Sequence, residues 1–353
     1  MPALRESGHV GSAARYRRAV VGSLRVEDPE PRYAAVRLRS DLPLDEPDFV
    51  RDDGGWVLQL PHARLARLEY QLELLGLDGT SRVVCDPGNP QRAPGPFGEK
   101  SVVVAPGYRP PDWLDEPRLA GTIEEIPMRV LGDDLDVRIW SPDEGELPLL
   151  VAHDGPEYDA LACLTRYAGA LIERDALPLF RIALLPPGHR DEWYSASAAY
   201  SRALCSRILP ALRDQIAVAG RPVGMGPSLG ALAMLHAQRT WPGTFAGLFL
   251  QSGSFFVPRF DRHESGFRRY QRIVRFVGGV LRSGSHDDTL PVAMTCGAEE
   301  ENVHNNRLMA SALAAQGYPA ELHELPDLHN YTSWRDAFDP HLTGLLARLW
   351  SPR

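Results

Sequence analysis

The chain has 353 residues, with 38 Lys+Arg against 46 Asp+Glu and a net charge of -8. A prior of roughly 150 residues per domain reads this length as about two domains. The acidic balance argues against a nucleic acid or anionic membrane partner, and no apolar run approaches the ~18 residues of a membrane span. With 44% hydrophobic and 24% charged residues, the chain has the composition of a globular protein, not a disordered one. Its four cysteines (Cys85, Cys163, Cys205, Cys296) are scattered without a CxxC pair. That excludes a disulfide framework or zinc ribbon and fits a reducing compartment. Residues 1–18 hold six charged or His side chains and no apolar h-region, so they do not read as a signal peptide, and a cytoplasmic location is expected.

Residues 1–20 are polar and are expected to form a poorly ordered arm. Between Ala34 and Val104, short β-rich runs such as 35–38, 56–60, 68–72 and 101–104 alternate with turn clusters. Strands at that spacing predict a small all-β, Ig-like sandwich, which with a Pro-rich linker beginning at Ala105-Pro106-Gly107 is assigned to residues 21–120. From 121 to 353 the pattern changes. Apolar runs at 147–152, 180–185, 222–226, 247–251 and 292–296 read as buried strands, with a further strand at 320–325. Helices are expected at 160–173, 200–216, 229–239 and 305–316, and the alternation predicts a mostly parallel sheet with helices on both faces.

The sharpest signal is Gly226-Pro227-Ser228-Leu229-Gly230, a G-x-S-x-G between a predicted strand and a predicted helix. In that setting the turn is so tight that glycines must flank it, and the serine Oγ projects from the top of the sheet. The opposing reading is a strand-to-helix turn whose serine is only an N-cap. A nucleophilic serine needs a base, and His329 lies in a loop after the last predicted strand, as this fold's order of serine, acid, histidine requires. His323 falls within the strand, His341 precedes the final helix, and the stretch from His323 is not HExxH, so no metal is expected. The acid should follow a strand between the two. Glu299, Glu300 and Glu301 all qualify and spacing alone does not choose, while His286-Asp287-Asp288 precedes its strand.

Several stretches together carry a resemblance. They are Asp154-Gly155, Arg190-Asp191-Glu192-Trp193, the elbow at Ser228, Gly297-x-x-Glu300 followed by Asn306, and His329-x-x-x-x-Trp334-Arg335. In this order they resemble the enterochelin esterase-like group of α/β-hydrolases. Glu69-Tyr70 and Asp86-Pro87-x-Asn89-Pro90 are similar to the β-sandwich module that precedes the hydrolase domain in siderophore esterases. The resemblance implies Ser228 as nucleophile, His329 as base and Glu300 as acid. It also implies the Leu229 N–H as one oxyanion donor and a second from the residue after the Asp-Gly pair. That residue is Pro156, which has no N–H. The second donor is then Gly155, Glu157 or a side chain, or it is missing, and a lost donor typically costs ~10²–10³ in kcat.

By the same resemblance Asp154, Glu157 and Tyr158 would lie at the nucleophile, and Arg190 and Glu192 would form an ion pair organising the site loop. Trp193, Tyr194, Phe255 and Phe256 either line an apolar pocket for an aromatic substrate or pack in the core. The expected function is a serine esterase without cofactor, acting on a small-molecule ester or lactone of a secondary metabolite such as a catecholate siderophore. The alternative, which Pro156 supports, is a hydrolase-fold protein that binds an aromatic or polycyclic intermediate and promotes a non-hydrolytic proton transfer, cyclisation or coupling.

Overall fold

The computed structural model describes residues 22–60 and 65–350, so the arm expected over 1–20 lies outside the described residues. The chain divides into two compact units, one reaching Pro110 and the other starting at Pro111, with residues 94–98 grouped with the second.

The first unit is built from antiparallel sheets. Strands β1 (Ser23–Glu27), β3 (Val50–Asp52) and β4 (Gly55–Gln59) form one sheet in the order β1-β4-β3. Strands β2 (Tyr33–Arg39), β5 (Arg67–Gly76), β8 (Lys100–Val104) and β7 (Arg92–Ala93) form the other, with β6 (Ser81–Val84) beside β5. Alternation decides which face is buried: β1 and β2 expose Arg25, Arg37 and Arg39 while Leu24, Val26, Val36 and Leu38 turn inward. The motif residues of this unit form a buried polar clasp. The Tyr70 hydroxyl donates to Asp86 at 2.7 Å, and Asn89 Nδ2 donates to the Val102 carbonyl at 2.7 Å.

The second unit holds an eight-stranded sheet. Its strands are β9 (Thr122–Val130), β10 (Asp133–Ser141), β11 (Leu149–His153), β12 (Arg181–Leu185), β13 (Val223–Pro227), β14 (Gly247–Gln251), β15 (Val292–Gly297) and β16 (Ala320–Leu325). Their order is β9-β10-β12-β11-β13-β14-β15-β16, parallel from β12 to β16 and antiparallel at β9 and β10. This is an α/β-hydrolase sheet preceded by a small all-β sandwich, as the sequence led us to expect. Strands β11 to β14 are buried at every position, because helices cover both faces and their sequences are apolar except at the end residues His153, Arg181 and Gln251. The edge strand β16 carries Glu321, His323 and Glu324, charges that discourage pairing with another chain.

Helices α1 (Gly155–Ala162), α2 (Leu164–Glu173), α3 (Arg190–Trp193), α4 (Ala198–Ala203), α5 (Leu209–Gln215), α6 (Leu229–Thr240), α7 (Tyr270–Arg282), α8 (Val303–Ala315), α9 (Tyr331–Asp336) and α10 (Thr343–Trp350) surround it. The structure corrects three local readings. The helix expected over 160–173 is two helices, broken at Cys163 in the left-handed region (φ 55°), where the Asp159 carboxylate caps the Thr165 N–H. The helix expected over 200–216 contains a π-type turn, Leu204–Ile208. Residues 111–120, grouped by sequence with the first module and its linker, pack with the second unit. Trp113 is buried there against Tyr167 and Phe338.

Close packing of α1 on β12 leaves no room at Gly155, where an added Cβ would lie 2.3 Å from the Leu184 Cα. Gly155→Ala is expected to cost about 1–3 kcal/mol, lowering Tm by roughly 3–10 °C. Gly279→Ala, in an exposed turn of α7 with nothing within 4 Å, should instead gain about 0.5–1 kcal/mol. Thermal unfolding of the two variants checks this opposite ordering.

Candidate active site

Because the six parallel strands are followed by loops or helix starts, their C-terminal ends deliver polar residues to one edge of the sheet, where open α/β sheets bind ligands. Asp154 follows β11, Arg190 follows β12, Ser228 follows β13, Ser252 and Ser254 follow β14, Glu300 follows β15 and His329 follows β16. Two of these, Ser252 and Ser254, had no place in the sequence reading. Their signal was a small polar run, Gln251-Ser252-Gly253-Ser254, at the end of an apolar strand.

Ser228 has φ 54° and ψ -122°, and its side chain makes no capping bond to α6. The N-cap reading therefore fails; the residue sits on a strained turn whose hydroxyl is left for other work. An added Cβ on Gly226 would lie 2.6 Å from the Gly230 carbonyl carbon, so the flanking glycine allows the strand and helix to meet. The Ser228 N–H donates to the Gln251 carbonyl at 2.8 Å, and its Oγ lies 3.0 Å from Ser254 Oγ. The start of α6, with its unpaired N–H groups and positive dipole end, abuts the same hydroxyl.

Glu300 is buried and fully engaged. Its Oε1 accepts from Ser252 Oγ at 2.7 Å and from the Gly297 N–H at 2.8 Å, and its Oε2 lies 2.9 Å from His329 Nδ1. A carboxylate can only accept, so Nδ1 carries the proton and Nε2 is left as the basic nitrogen. Trp334 meets the His329 ring edge-on at 5.0 Å and donates its Nε1–H to Ser252 Oγ. Glu301 points to His263, 2.9 Å away. Asp288, of the rival acidic cluster, is taken up by Gln238 and the Gly243 N–H ahead of β15.

Asp154 is buried in the left-handed region (φ 51°) and is held bidentately by Arg190 at 2.9 and 2.8 Å. Arg190 does not pair with Glu192, which corrects the expected ion pair. Two residues apart on the single turn of α3, their side chains leave on different sides, and Glu192 is bound instead by Arg269 and Arg272. Pro156 occupies the first turn of α1, where its missing N–H costs the helix nothing but removes a donor. Half-buried Glu157 next to it has one carboxylate oxygen without a hydrogen-bond partner. Burial, with the Asp154 charge adding to it, pushes its carboxyl pKa up.

The remaining expected site residues are packed away. Tyr158 is fully buried and donates to Gln251 Oε1 at 2.7 Å. Trp193 stacks on Tyr200, and Phe255 and Phe256 are buried in the same core. Among the described residues His263, Glu264 and Glu301 form the one group whose ligand atoms, within 4.8 Å of one another, have the composition of a cation site.

Behind the elbow, His153 is fully buried, with Nδ1 donating to the Gly230 carbonyl at 3.0 Å and Nε2 accepting from the Tyr200 hydroxyl at 2.9 Å. Burial holds its pKa down to about 4, with the Arg190 charge adding to the effect. The unfolded chain therefore binds a proton near pH 6.5 that the folded chain refuses. Stability is full above that pH and declines as pH falls toward 4, by up to about 3 kcal/mol from this residue. Tm measured from pH 7 to pH 4 should fall accordingly, and His153→Phe, whatever its own cost, should flatten the decline.

Comparison with known proteins shows the family and the fold. Residues 129–345 match the model of the Esterase family, described as "Putative esterase". No curated protein sequence matches the chain. Among solved structures, the enterobactin esterase from Shigella flexneri, determined in the presence of enterobactin, superposes with a TM-score of 0.70 at 21% identity, covering 94% of this chain and 92% of that one. Ferric enterobactin esterase from Salmonella typhimurium gives 0.72 at 20% identity, covering 94% and 93%. A ferulic acid esterase gives 0.55 at 14% identity, covering 65% of this chain and all of that one. The family match spans well over half of the chain, which belongs to the Esterase family.

Proposed function

We propose that this chain is a cytoplasmic serine esterase in which Ser228, His329 and Glu300 form the catalytic triad. The observation that carries the reading is the 2.9 Å contact between buried Glu300 and His329 Nδ1, at the same sheet edge as a serine on a strained strand-to-helix turn. Ser228 Oγ attacks the ester carbonyl while His329 Nε2 takes its proton. Glu300 stabilises the imidazolium, and His329 returns the proton to the leaving alcohol. Water, activated by the same nitrogen, then releases the acid. The Leu229 N–H and the Gly155 N–H are the oxyanion donors of this scheme, at the starts of α6 and α1.

For the substrate we propose an ester or lactone of a secondary metabolite, with a catecholate siderophore as the leading case. The similar structures solved with enterobactin and with 2,3-di-hydroxy-N-benzoyl-serine support that class. Asp154, Glu157 and Arg190 would meet its polar groups, while Tyr158, Glu192, Trp193 and Phe255 would act through the packing of the site wall. Pro156 supports a second reading, in which the site binds an aromatic intermediate and promotes a non-hydrolytic step, since one oxyanion N–H is missing.

A fluorophosphonate probe should add once, at Ser228, by intact mass and peptide mapping, and Ser228→Ala should abolish the adduct. Glu300→Gln is expected to lower aryl ester kcat by ~10²–10⁴, whereas Glu301→Gln should remain near native. The reverse ranking would show that the acid has been assigned to the wrong glutamate.

Pro156 separates the two readings. Pro156→Gly restores an N–H at the second donor position and should raise kcat for a model aryl ester about tenfold or more if the native hole is one donor short. A native protein that already turns such esters over quickly, with no gain from the substitution, would show that Gly155 completes the hole. No turnover by either form, together with no probe adduct, would favour the non-hydrolytic reading.

A further inference from the structure

Each residue of Ser252-Gly253-Ser254, the segment that follows β14, reaches a different part of the site. Ser252, held in the left-handed region (φ 47°), donates its hydroxyl to Glu300 Oε1 and accepts from Trp334 Nε1. Gly253 is gripped at both backbone groups by one carboxamide. Its N–H donates to Asn306 Oδ1 at 3.0 Å and its carbonyl accepts from Asn306 Nδ2 at 2.9 Å. The Ser254 N–H donates to the Ser228 carbonyl at 3.2 Å, and the two Oγ atoms are 3.0 Å apart. Ser254 is only 3% exposed, so its hydroxyl is enclosed beside the nucleophile and not solvated.

A hydroxyl oxygen has one proton and two lone pairs. If the Ser228 proton goes to His329, one lone pair of Oγ attacks the carbonyl and the other is free to accept. The 3.0 Å separation allows either hydroxyl to donate, and with the Ser228 proton committed to His329 that role falls to Ser254 O–H. As the proton leaves and negative charge grows on Ser228 Oγ, this bond becomes charge-assisted, about twice as strong as a neutral one.

The geometry points to Ser254 as a positioning residue for the nucleophile: its hydroxyl donates to Ser228 Oγ, holds that side chain in its attacking rotamer, and stabilises the oxygen as it loses its proton. Asn306 fixes the segment, so the same three residues align the acid through Ser252 and the nucleophile through Ser254. The inference rests on Ser228 being the nucleophile.

The test uses the full chain, a fluorophosphonate probe and p-nitrophenyl butyrate. Ser254→Ala is expected to slow Ser228 labelling and to lower kcat by ~10–100-fold, with KM within about twofold and Tm within a few degrees of native. Ser254→Cys, which keeps the volume with a weaker donor, should fall between the two. Labelling of Ser254→Ala as fast as native, or faster, would overturn the proposal; a faster rate would mean that Ser254 parks the nucleophile and does not assist it. A fall in KM affinity without a fall in kcat would also overturn it, as would equal native rates in both variants. If the native chain is not labelled at Ser228 at all, the nucleophile assignment itself fails; native labelling with undiminished Ser254→Ala labelling sinks the Ser254 role alone.

Discussion

The backbone of Ser228 is the constraint on which the candidate site at the sheet edge depends. A non-glycine residue at φ 54°, ψ -122° carries a cost of order 1–3 kcal/mol and persists only where its surroundings hold it. Gly226 lets β13 and α6 approach within a distance that any Cβ would block. The Gln251 carbonyl takes the Ser228 N–H, and the Gln251 carboxamide is itself anchored by Tyr158, Thr295 and the Trp334 carbonyl. Strain at one residue is thus balanced by a polar frame drawn from α1, β14, β15 and α9.

Around that turn, buried ionisable groups take two opposite solutions. Glu300 and Asp154 have partners for both carboxylate oxygens, which offsets the cost of burying them. For His153, burial and the Arg190 charge outweigh the support that the Gly230 carbonyl gives a positive charge, and it stays neutral. Glu157 has neither solution complete: one oxygen lacks a partner, and its raised pKa follows from that burial beside Asp154. The contrast matters for chemistry, because a neutral His153 behind the elbow leaves His329 as the site imidazole with a carboxylate to stabilise its charged form.

The polar clasp of the first unit has a different logic. Tyr70, Asp86 and Asn89 satisfy one another and the Val102 carbonyl inside a small antiparallel module. In a module with a limited apolar core, a fully bonded polar cluster fixes one arrangement of the loop. Its residues were legible in the sequence as a motif, but their role as an internal tie follows only from the distances.

Much of the second unit was legible because its physics is local. Continuous apolar runs read as strands buried on both faces, G-x-S-x-G between a strand and a helix read as an elbow, and the order of Ser228, a glutamate and His329 matched a sheet whose strand ends share an edge. What stayed hidden depends on contacts between residues far apart in the chain. Spacing could not tell which of Glu299, Glu300 and Glu301 meets His329, since that depends on the Gly297 N–H and Ser252 holding the Glu300 carboxylate in space. The partners of Arg190 and Glu192 were misread because helix geometry turns neighbours apart and tertiary packing supplies Asp154 and Arg272 instead. The polar run 251–254 marks a strand end, but it does not say that Ser254 meets Ser228. A 3.0 Å approach to Ser228 across 26 residues exists only because β13 and β14 lie side by side in parallel register, and register is a property of the sheet and not of either strand.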